Sequence, residues 1–510
     1  MILRLLYALL LLFPLCVPAQ SLPESWPLQP AQREYRAVWF CTFGGMDWPG
    51  RRYAQTEYKA EVQRQELIRT FDRLQAVGIN TILFQTRIRS TVAYPSQYEP
   101  WDGAFSGTPG VAPPYDVLQF AVEQAHLRGM ELHAYVVAYP ICSVPLAKQL
   151  GRQALPVRRP DLCQKCGDKW MMDPGIPGTA HYIAGLCREI VERYDVDGIH
   201  LDYIRYPEKE IAFNDARTYA RYGGGKPKSE WRRDNVTRTV RLIHDTIKAV
   251  RPWVRLTCSP IGKYADLPRQ TSRGWNARDA VSQDAQLWLR EGWMDALFPM
   301  MYFDGEHFYP FAQDWQQNAS GRPIVPGLGI YFLSPKEGNW KLPKVVRQLN
   351  VLRQQGIGGQ AYFRSRFLLD NCDGVLDFVT DFYRQPALTP PMTWQDTIPP
   401  AAPVFATRIY GNTLRIWWDA VKDETPVVYN IYRLASQGPQ LIAHHLRTTL
   451  YDYSPSLPAL LHDRYVVVAM DAYGNESPLP PLTDEIRPTH PRFVPLPAAY
   501  APKPNRHARR

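Results

Sequence analysis

Tyr194-Asp-Val-Asp-Gly-Ile-His-Leu-Asp-Tyr-Ile-Arg-Tyr-Pro207 is the stretch that decides the fold. Residues two apart on a strand share a face, so Gly198, His200 and Asp202 lie on one side and Ile199 and Leu201 on the other. Polar groups on one face, aliphatics on the other, and a stop at Asp-Tyr ahead of a proline fit a parallel barrel strand. In that architecture the C-terminal strand ends carry the chemistry. Asp202 is therefore the first catalytic candidate.

Outward from this strand, strand-like runs alternate with helix-like runs between residues 34 and 382. Strands are expected at 35–42, 80–87, 131–138, 196–202, 254–260, 296–303, 324–332 and 359–364. Amphipathic helical patterns fill the gaps, and Gly78, Gly129, Pro252 and Gly356 mark their exits. Eight β/α units predict an α/β protein with a TIM (β/α)8 barrel and enlarged loops. A doubly wound sheet would carry a Gly-rich phosphate turn after its first strand, and Gly44-Gly45 lacks that pattern.

The barrel domain is expected over 20–385, followed by a Pro-rich linker over 386–403. Beyond it, Leu414-Arg-Ile-Trp-Trp418, Tyr429-Asn-Ile-Tyr-Arg433 and Tyr465-Val-Val-Val-Ala469 read as short strands of a small β-sandwich over 404–490. Residues 491–510 form a basic, Pro-rich tail. The run Tyr465–Ser477 resembles the late strand and turn of a fibronectin type III domain.

At the other end, Arg4, the apolar run Leu5–Leu15 and the small residues of Val17-Pro-Ala19 read as a signal peptide over 1–19. The apolar run is short for a bilayer span. Export is expected, to the periplasm, the outer membrane or the exterior, with lipidation at Cys16 as the alternative. Seven cysteines then remain, an odd number. Cys163-Gln-Lys-Cys166 is a lone C-x-x-C, open to a local disulfide or a metal site completed by Cys142. Cys41, Cys187 and Cys258 fit buried thiols. The net charge of +10 favours an anionic polymer or envelope surface as partner. No alternation of basic and aromatic residues indicates nucleic acid. The sequence leaves the oligomeric state open.

Strand parity brings candidate site residues to one mouth: Gln85 and Arg87, His133 and Tyr135, His200 and Asp202, Tyr302 and Asp304, Tyr362 and Arg364. Loops add Asp47, Trp48 and Trp101. Such polar groups are costly to bury without a purpose. The bland alternative for Arg87, His133 and His200 is a satisfied polar core, and for Trp48 and Trp101 loop staples. Glycoside hydrolysis fits this set, because it needs one carboxylate at an oxocarbenium-like centre and one acid for the leaving oxygen. Asp202 is expected as nucleophile or electrostatic stabiliser, with Asp304 or Asp47 as the acid. Arg205 or His200 would keep Asp202 ionised. Gln85, Arg87, Trp48, Trp101, His133, His200, Tyr203, Arg205, Tyr302 and Arg364 are expected to bind a polysaccharide substrate. No cofactor and no metal are expected. A metal-dependent amidohydrolase would carry His-x-His on its first strand, and Tyr35–Thr42 contains no histidine. The rival from another class is a non-catalytic carbohydrate-binding protein on a barrel scaffold.

Several motifs together resemble the glycosyl hydrolase-like family 10 of bacterial envelope proteins. They are Arg36-Ala-Val-Trp39, Asp47-Trp-Pro49, Asn80-Thr-Ile-Leu-Phe-Gln-Thr-Arg87, Tyr94-Pro-Ser96, Tyr115-Asp-Val-Leu118, Asp197-Gly-Ile-His-Leu-Asp202 and Pro299-Met-Met-Tyr302. The resemblance implies a TIM barrel, an envelope setting and cleavage of peptidoglycan glycan strands stripped of their peptides. The chain departs from the family pattern at Tyr203, where many members carry a second Asp, and at Met300, where many carry Gln.

Overall fold

Eight short parallel strands curl into a barrel in the computed structural model, which describes residues 33–50, 52–209, 211–435 and 438–479. The expected signal peptide and basic tail lie outside the described residues. The strands are β1 (Tyr35–Phe40), β2 (Thr81–Ile88), β3 (Glu131–Val137), β4 (Gly198–Asp202), β5 (Arg255–Cys258), β6 (Ala296–Leu297), β7 (Gly327–Leu328) and β8 (Gly359–Tyr362). Each pairs in parallel with the next, and β8 returns to β1 with Tyr35 opposite Gly359. Between β6 and β7 the ring closes by bonds from Val325 N to the Leu297 carbonyl (2.8 Å) and from Gly327 N to the Pro299 carbonyl (2.8 Å). A principal helix follows each strand, with shorter helices in several of the loops: α1 (Glu57–Ala76), α2 (Val117–His126), α3 (Pro177–Arg193), α4 (Lys228–Lys248), α5 (Ala285–Arg290), α6 (Tyr309–Gln317), α7 (Leu342–Gln354) and α8 (Val375–Phe382).

Alternation sorts the side chains. Val38, Phe40, Ile82, Phe84, Ile199 and Leu201 face the helices and join the larger core. Tyr35, Ala37, Trp39, Cys41, Tyr135, Phe298 and Ala361 fill the lumen. The lumen is layered, as in barrels generally. Its floor holds Glu131, whose carboxylate accepts from Arg255 at 3.0 Å and lies 3.1 Å from His133. The middle holds His200 under Phe298 and Trp39, with ring centroids 5.2 and 6.0 Å away. Asp202 lies at the top. Glycine is required at residue 198, where a Cβ would stand 2.8 Å from the His133 ring.

The parity expected for Tyr362 fails. Tyr362 points outward, and its hydroxyl meets that of Tyr383 after α8 at 2.6 Å. The small Gly359 and Ala361 occupy the crowded lumen beside Tyr35 and Trp39, so the bulky tyrosine takes the helix side.

The second domain contains β9 (Phe405–Tyr410), β10 (Thr413–Trp418), β11 (Val428–Ala435), β12 (Gly438–Leu446), β13 (Leu450–Tyr453) and β14 (Arg464–Met470). They form two three-stranded antiparallel sheets, ordered β9-β10-β13 and β12-β11-β14. The Pro-rich segment before them is pinned under the barrel floor. Trp394 Nε1 donates to Asp295 at 2.9 Å, Arg255 to the Pro390 carbonyl at 2.9 Å, and Thr389 to Glu131 at 2.6 Å.

Candidate active site

Asp202 ends β4, where Tyr203 turns the chain into the left-handed region at φ 49°. That turn brings the Tyr203 amide back onto the carboxylate it follows, at 2.7 Å. Tyr135, on the neighbouring β3 two residues before the register partner of Asp202, donates its hydroxyl to the other oxygen at 2.6 Å. Ser259, just past β5, supplies a further hydrogen bond, and the Arg205 charge lies nearby. Asp202 is 4% exposed. Burial raises its pKa, and the Tyr135 bond, the Arg205 charge and the Tyr203 amide partly offset that rise. Burial thus favours the protonated carboxyl, while these partners favour the charged one.

The mouth around it is aromatic. Tyr302, Trp39 and Phe363 pack edge-on or tilted, with centroids 5.1 to 6.4 Å apart. Tyr331 joins at 5.8 Å from Tyr302, and Phe332 continues the rim to Trp340. The Tyr302 hydroxyl is buried with no hydrogen-bond partner among the described residues. Asp202 and Cys41 push its pKa up further, after burial itself. It therefore faces the space beside Asp202.

Asp47 is the second acid of the mouth. The Cys41 thiol experiences the charges of both Asp47 and Asp202. Asp47, however, is fully engaged. One oxygen takes Arg364 Nη1 and the Arg366 amide, and the other accepts from the Cys41 amide at 2.7 Å. Its side chain is 1% exposed, and burial raises its pKa against the pull of Arg364. Asp47 and Arg364 form a strut that ties the first loop to the end of β8. Gln85 serves the same loop by accepting from the Phe43 amide at 2.8 Å.

Several expected residues have structural duties instead. Asp304 caps a short turn through the Gly305 amide and pairs with Lys344 at 2.6 Å, with its side chain 44% exposed. No contact joins it to Asp202 among the described residues. Trp48 is fully buried, tilted against Phe84 and Phe105, and its indole donates to the Gln63 carbonyl at 3.0 Å. Trp101 is half-buried, edge-on to Phe105. Arg87 is sealed in a bidentate pair with Glu99 at 2.7 and 2.6 Å and also caps the Ala138 carbonyl. The cause is a register shift between Gln85 and Arg87, which ends strict alternation there. His133 belongs to the floor. His200 is held neutral by burial, which drives its pKa well below the usual range, and it meets Thr257 and Ser259 at 2.9 and 3.1 Å. It cannot supply positive charge to Asp202; Arg205 does. All seven described cysteines are free thiols, including Cys163 and Cys166. Among the described residues no three of His, Cys, Asp and Glu gather as a metal set.

The sequence reading missed Ser259, Cys41, Phe363 and Tyr331. Ser259 had a signal: Arg255, Thr257 and Ser259 are polar and two apart, alternating with Leu256 and Cys258, the same parity that singled out His200 and Asp202.

The sequence profile of the family described as glycosyl hydrolase-like 10 matches residues 34–323. The chain belongs to that family. It is 32% identical over 463 residues to glycosyl hydrolase YngK of Bacillus subtilis (strain 168), covering 86% of this chain and 89% of that protein. Glycosyl hydrolase DigH of Escherichia coli (strain K12) is 33% identical over 383 residues, covering 69% and 87%. A solved α-L-fucosidase isoenzyme 2 from Paenibacillus thiaminolyticus overlays at TM-score 0.46 and 15% identity, over 69% of this chain and 49% of that one. Membership in this family supports a glycoside hydrolase-like function, with carbohydrate as the class of substrate.

Proposed function

We propose that this protein is an exported glycoside hydrolase that cleaves glycan strands of the cell envelope, peptide-free peptidoglycan first among them, with Asp202 as the reacting carboxyl. One observation carries the reading: a carboxyl at the end of β4 whose burial favours the protonated form while three donors are aimed at its charged form. Such a group can give up a proton and be stabilised after giving it. Protonated Asp202 delivers its proton to the glycosidic oxygen as the bond to the anomeric carbon breaks. The carboxylate left behind is taken up by Tyr135, the Tyr203 amide and Ser259. In this reading Asp202 acts as the acid, where the sequence led us to expect a nucleophile or electrostatic stabiliser. In this reading the attacking group is water or the substrate itself. The aromatic rim of Tyr302, Tyr331 and Phe363 offers apolar faces to sugar rings. The leader-like residues 1–19 support export.

A second reading, glycan binding without turnover, is favoured by the near-complete burial of Asp202 and by Tyr203 at the position of the family's second Asp. One experiment separates the two. Wild type, Asp202→Asn and Asp304→Asn are incubated with intact and peptide-free peptidoglycan, and reducing ends and product masses are read. Wild type and Asp304→Asn are expected to release products at rates within about threefold of each other, since a surface ion pair contributes little. Asp202→Asn is expected to bind the strands and release none. Cleavage by Asp202→Asn at the wild-type rate removes Asp202 from the chemistry, and a wild type that binds without cleaving establishes the binding reading.

A further inference from the structure

We infer that Lys263, with Ser272 and His307, forms a subsite for a carboxylate-bearing sugar on the wall of the mouth that begins at Asp202; this rests on the glycosidase reading above. Lys263 is 5% exposed. Its amine lies 5.4 Å from the Phe303 ring centre and 5.0 Å from that of Phe311. It meets His307 Nδ1 at 2.9 Å and the Ser272 hydroxyl, and these two meet each other at 2.6 Å. An ammonium has three N–H donors, and only two acceptors are present among the described residues. No carboxylate lies within ion-pair distance of it among those residues; Asp266 and Glu306 act only from farther away. Burying a cation without a counter-charge is costly. The cost is explained if an anionic group from the ligand completes the site. A carboxylate suits it, since it can accept from the lysine and from a hydroxyl or imidazole at once.

The position ties this amine to the reacting end of the barrel. Lys263 comes four residues after Ser259, which bonds Asp202. The loop from Tyr264 to Asn276 returns Ser272 onto Lys263 and also carries Trp275. The Trp275 ring lies 5.6 Å from the Arg205 guanidinium, which stands 4.5 Å from the Tyr203 ring beside Asp202. Trp275 and Tyr203 are 41% and 40% exposed, so both keep ring surface open to solvent beside the Arg205 guanidinium between them. Apolar faces for the sugar ring and a charged donor for its acid group therefore sit on one wall. The net charge of +10 is in keeping with an anionic glycan.

The test uses two acidic polymers, peptide-free peptidoglycan strands and polygalacturonate, each beside its carboxyl-reduced neutral form. Initial rates of reducing-end release are measured for wild type, Lys263→Met and Ser272→Asp. Methionine keeps the packing against Phe303 and Phe311, and aspartate satisfies the amine from within the chain. Wild type is expected to favour the acidic form of its substrate by about tenfold or more in kcat/KM, the scale of a charge-assisted hydrogen bond. Both variants are expected to bring that ratio near one, through a higher KM on the acidic form, with the neutral form cleaved as before. Cleavage of the neutral form shows that a variant is folded. An acid-to-neutral ratio unchanged in Lys263→Met overturns the subsite while leaving the glycosidase reading intact. If wild type cleaves none of the four polymers, the glycosidase reading fails, and retardation in native gels containing each acidic polymer decides the subsite. Retardation lost in Lys263→Met but kept in the exposed-lysine control Lys341→Met supports it, and equal retardation of both refutes it.

Discussion

Asp202 shows how one side chain can be costly to the fold and useful to the chemistry. Its burial places a carboxyl where water cannot solvate the charge, and three donors recover only part of that loss. The raised pKa has a consequence for stability. The folded state holds the Asp202 proton to a higher pH than the unfolded chain does. Stability from this group is therefore greatest at low pH and is lost as pH rises from the unfolded value of about 4 through the folded one. Asp202→Asn removes that loss. We expect its thermal midpoint to exceed that of wild type at pH 7 and the gain to shrink toward pH 4. Equal midpoint differences at both pH values would show that Asp202 is not strained by desolvation. The parity of Gly198, His200 and Asp202 was legible in the sequence because the strand is short and fully buried. Partners were not legible: Tyr135 and Ser259 reach Asp202 from strands 67 and 57 residues away in the chain, and only closure of the barrel brings them together.

At the scale of elements, the loops above the barrel are fastened by buried ion pairs as well as by apolar packing. The Asp47–Arg364 strut fastens the loop after β1 to the end of β8, and the Arg87–Glu99 pair fastens the loop after β2. Removing one partner leaves the other charge buried and uncompensated. Asp47→Asn is expected to cost about 3–5 kcal/mol in urea unfolding. Arg364→Met in the same background should recover part of it, because the orphaned guanidinium is gone. If Asp47→Asn unfolds like wild type, the strut has no structural weight and Asp47 returns as a chemical candidate. The eight strands and helices could be read from the sequence because each has its own period and stop. The loops could not be read in the same way. Arg87 and Tyr362 were misplaced because alternation fails at a register shift in one case and yields to lumen crowding in the other. Trp48 looked like a sugar platform because an indole beside a proline in a loop gives no sign of the pocket between Phe84 and Phe105 that encloses it.

The whole molecule is joined at the barrel floor, where a cavity of about 1020 Å³ separates α1, α2 and Tyr383 from β12. His444 and His445 of β12 line it, with ring nitrogens 3.1 Å apart. Burial and their mutual repulsion hold His444 down to about 3, and burial holds His445 down to about 4. Glu131 and Asp197 face His445 and pull its pKa up, whereas Arg447 and Arg33 push it down; Arg36 pushes His444 down. A histidine whose folded pKa is depressed binds fewer protons when folded than when unfolded. Stability from it is fully present above the unfolded value of about 6.5 and is lost as pH falls toward the folded value. Arg447, which pushes the His445 pKa down, pairs with Asp195 at 2.7 Å across the same junction. Acidification from pH 7 to pH 5 is therefore expected to destabilise the protein by on the order of 1 kcal/mol per histidine, first at the junction. The check is urea unfolding at both pH values with hydrogen exchange on β12 and the end of α2. His444→Gln with His445→Asn should flatten the pH dependence over this window, and a double variant as acid-sensitive as wild type would place the sensitivity elsewhere.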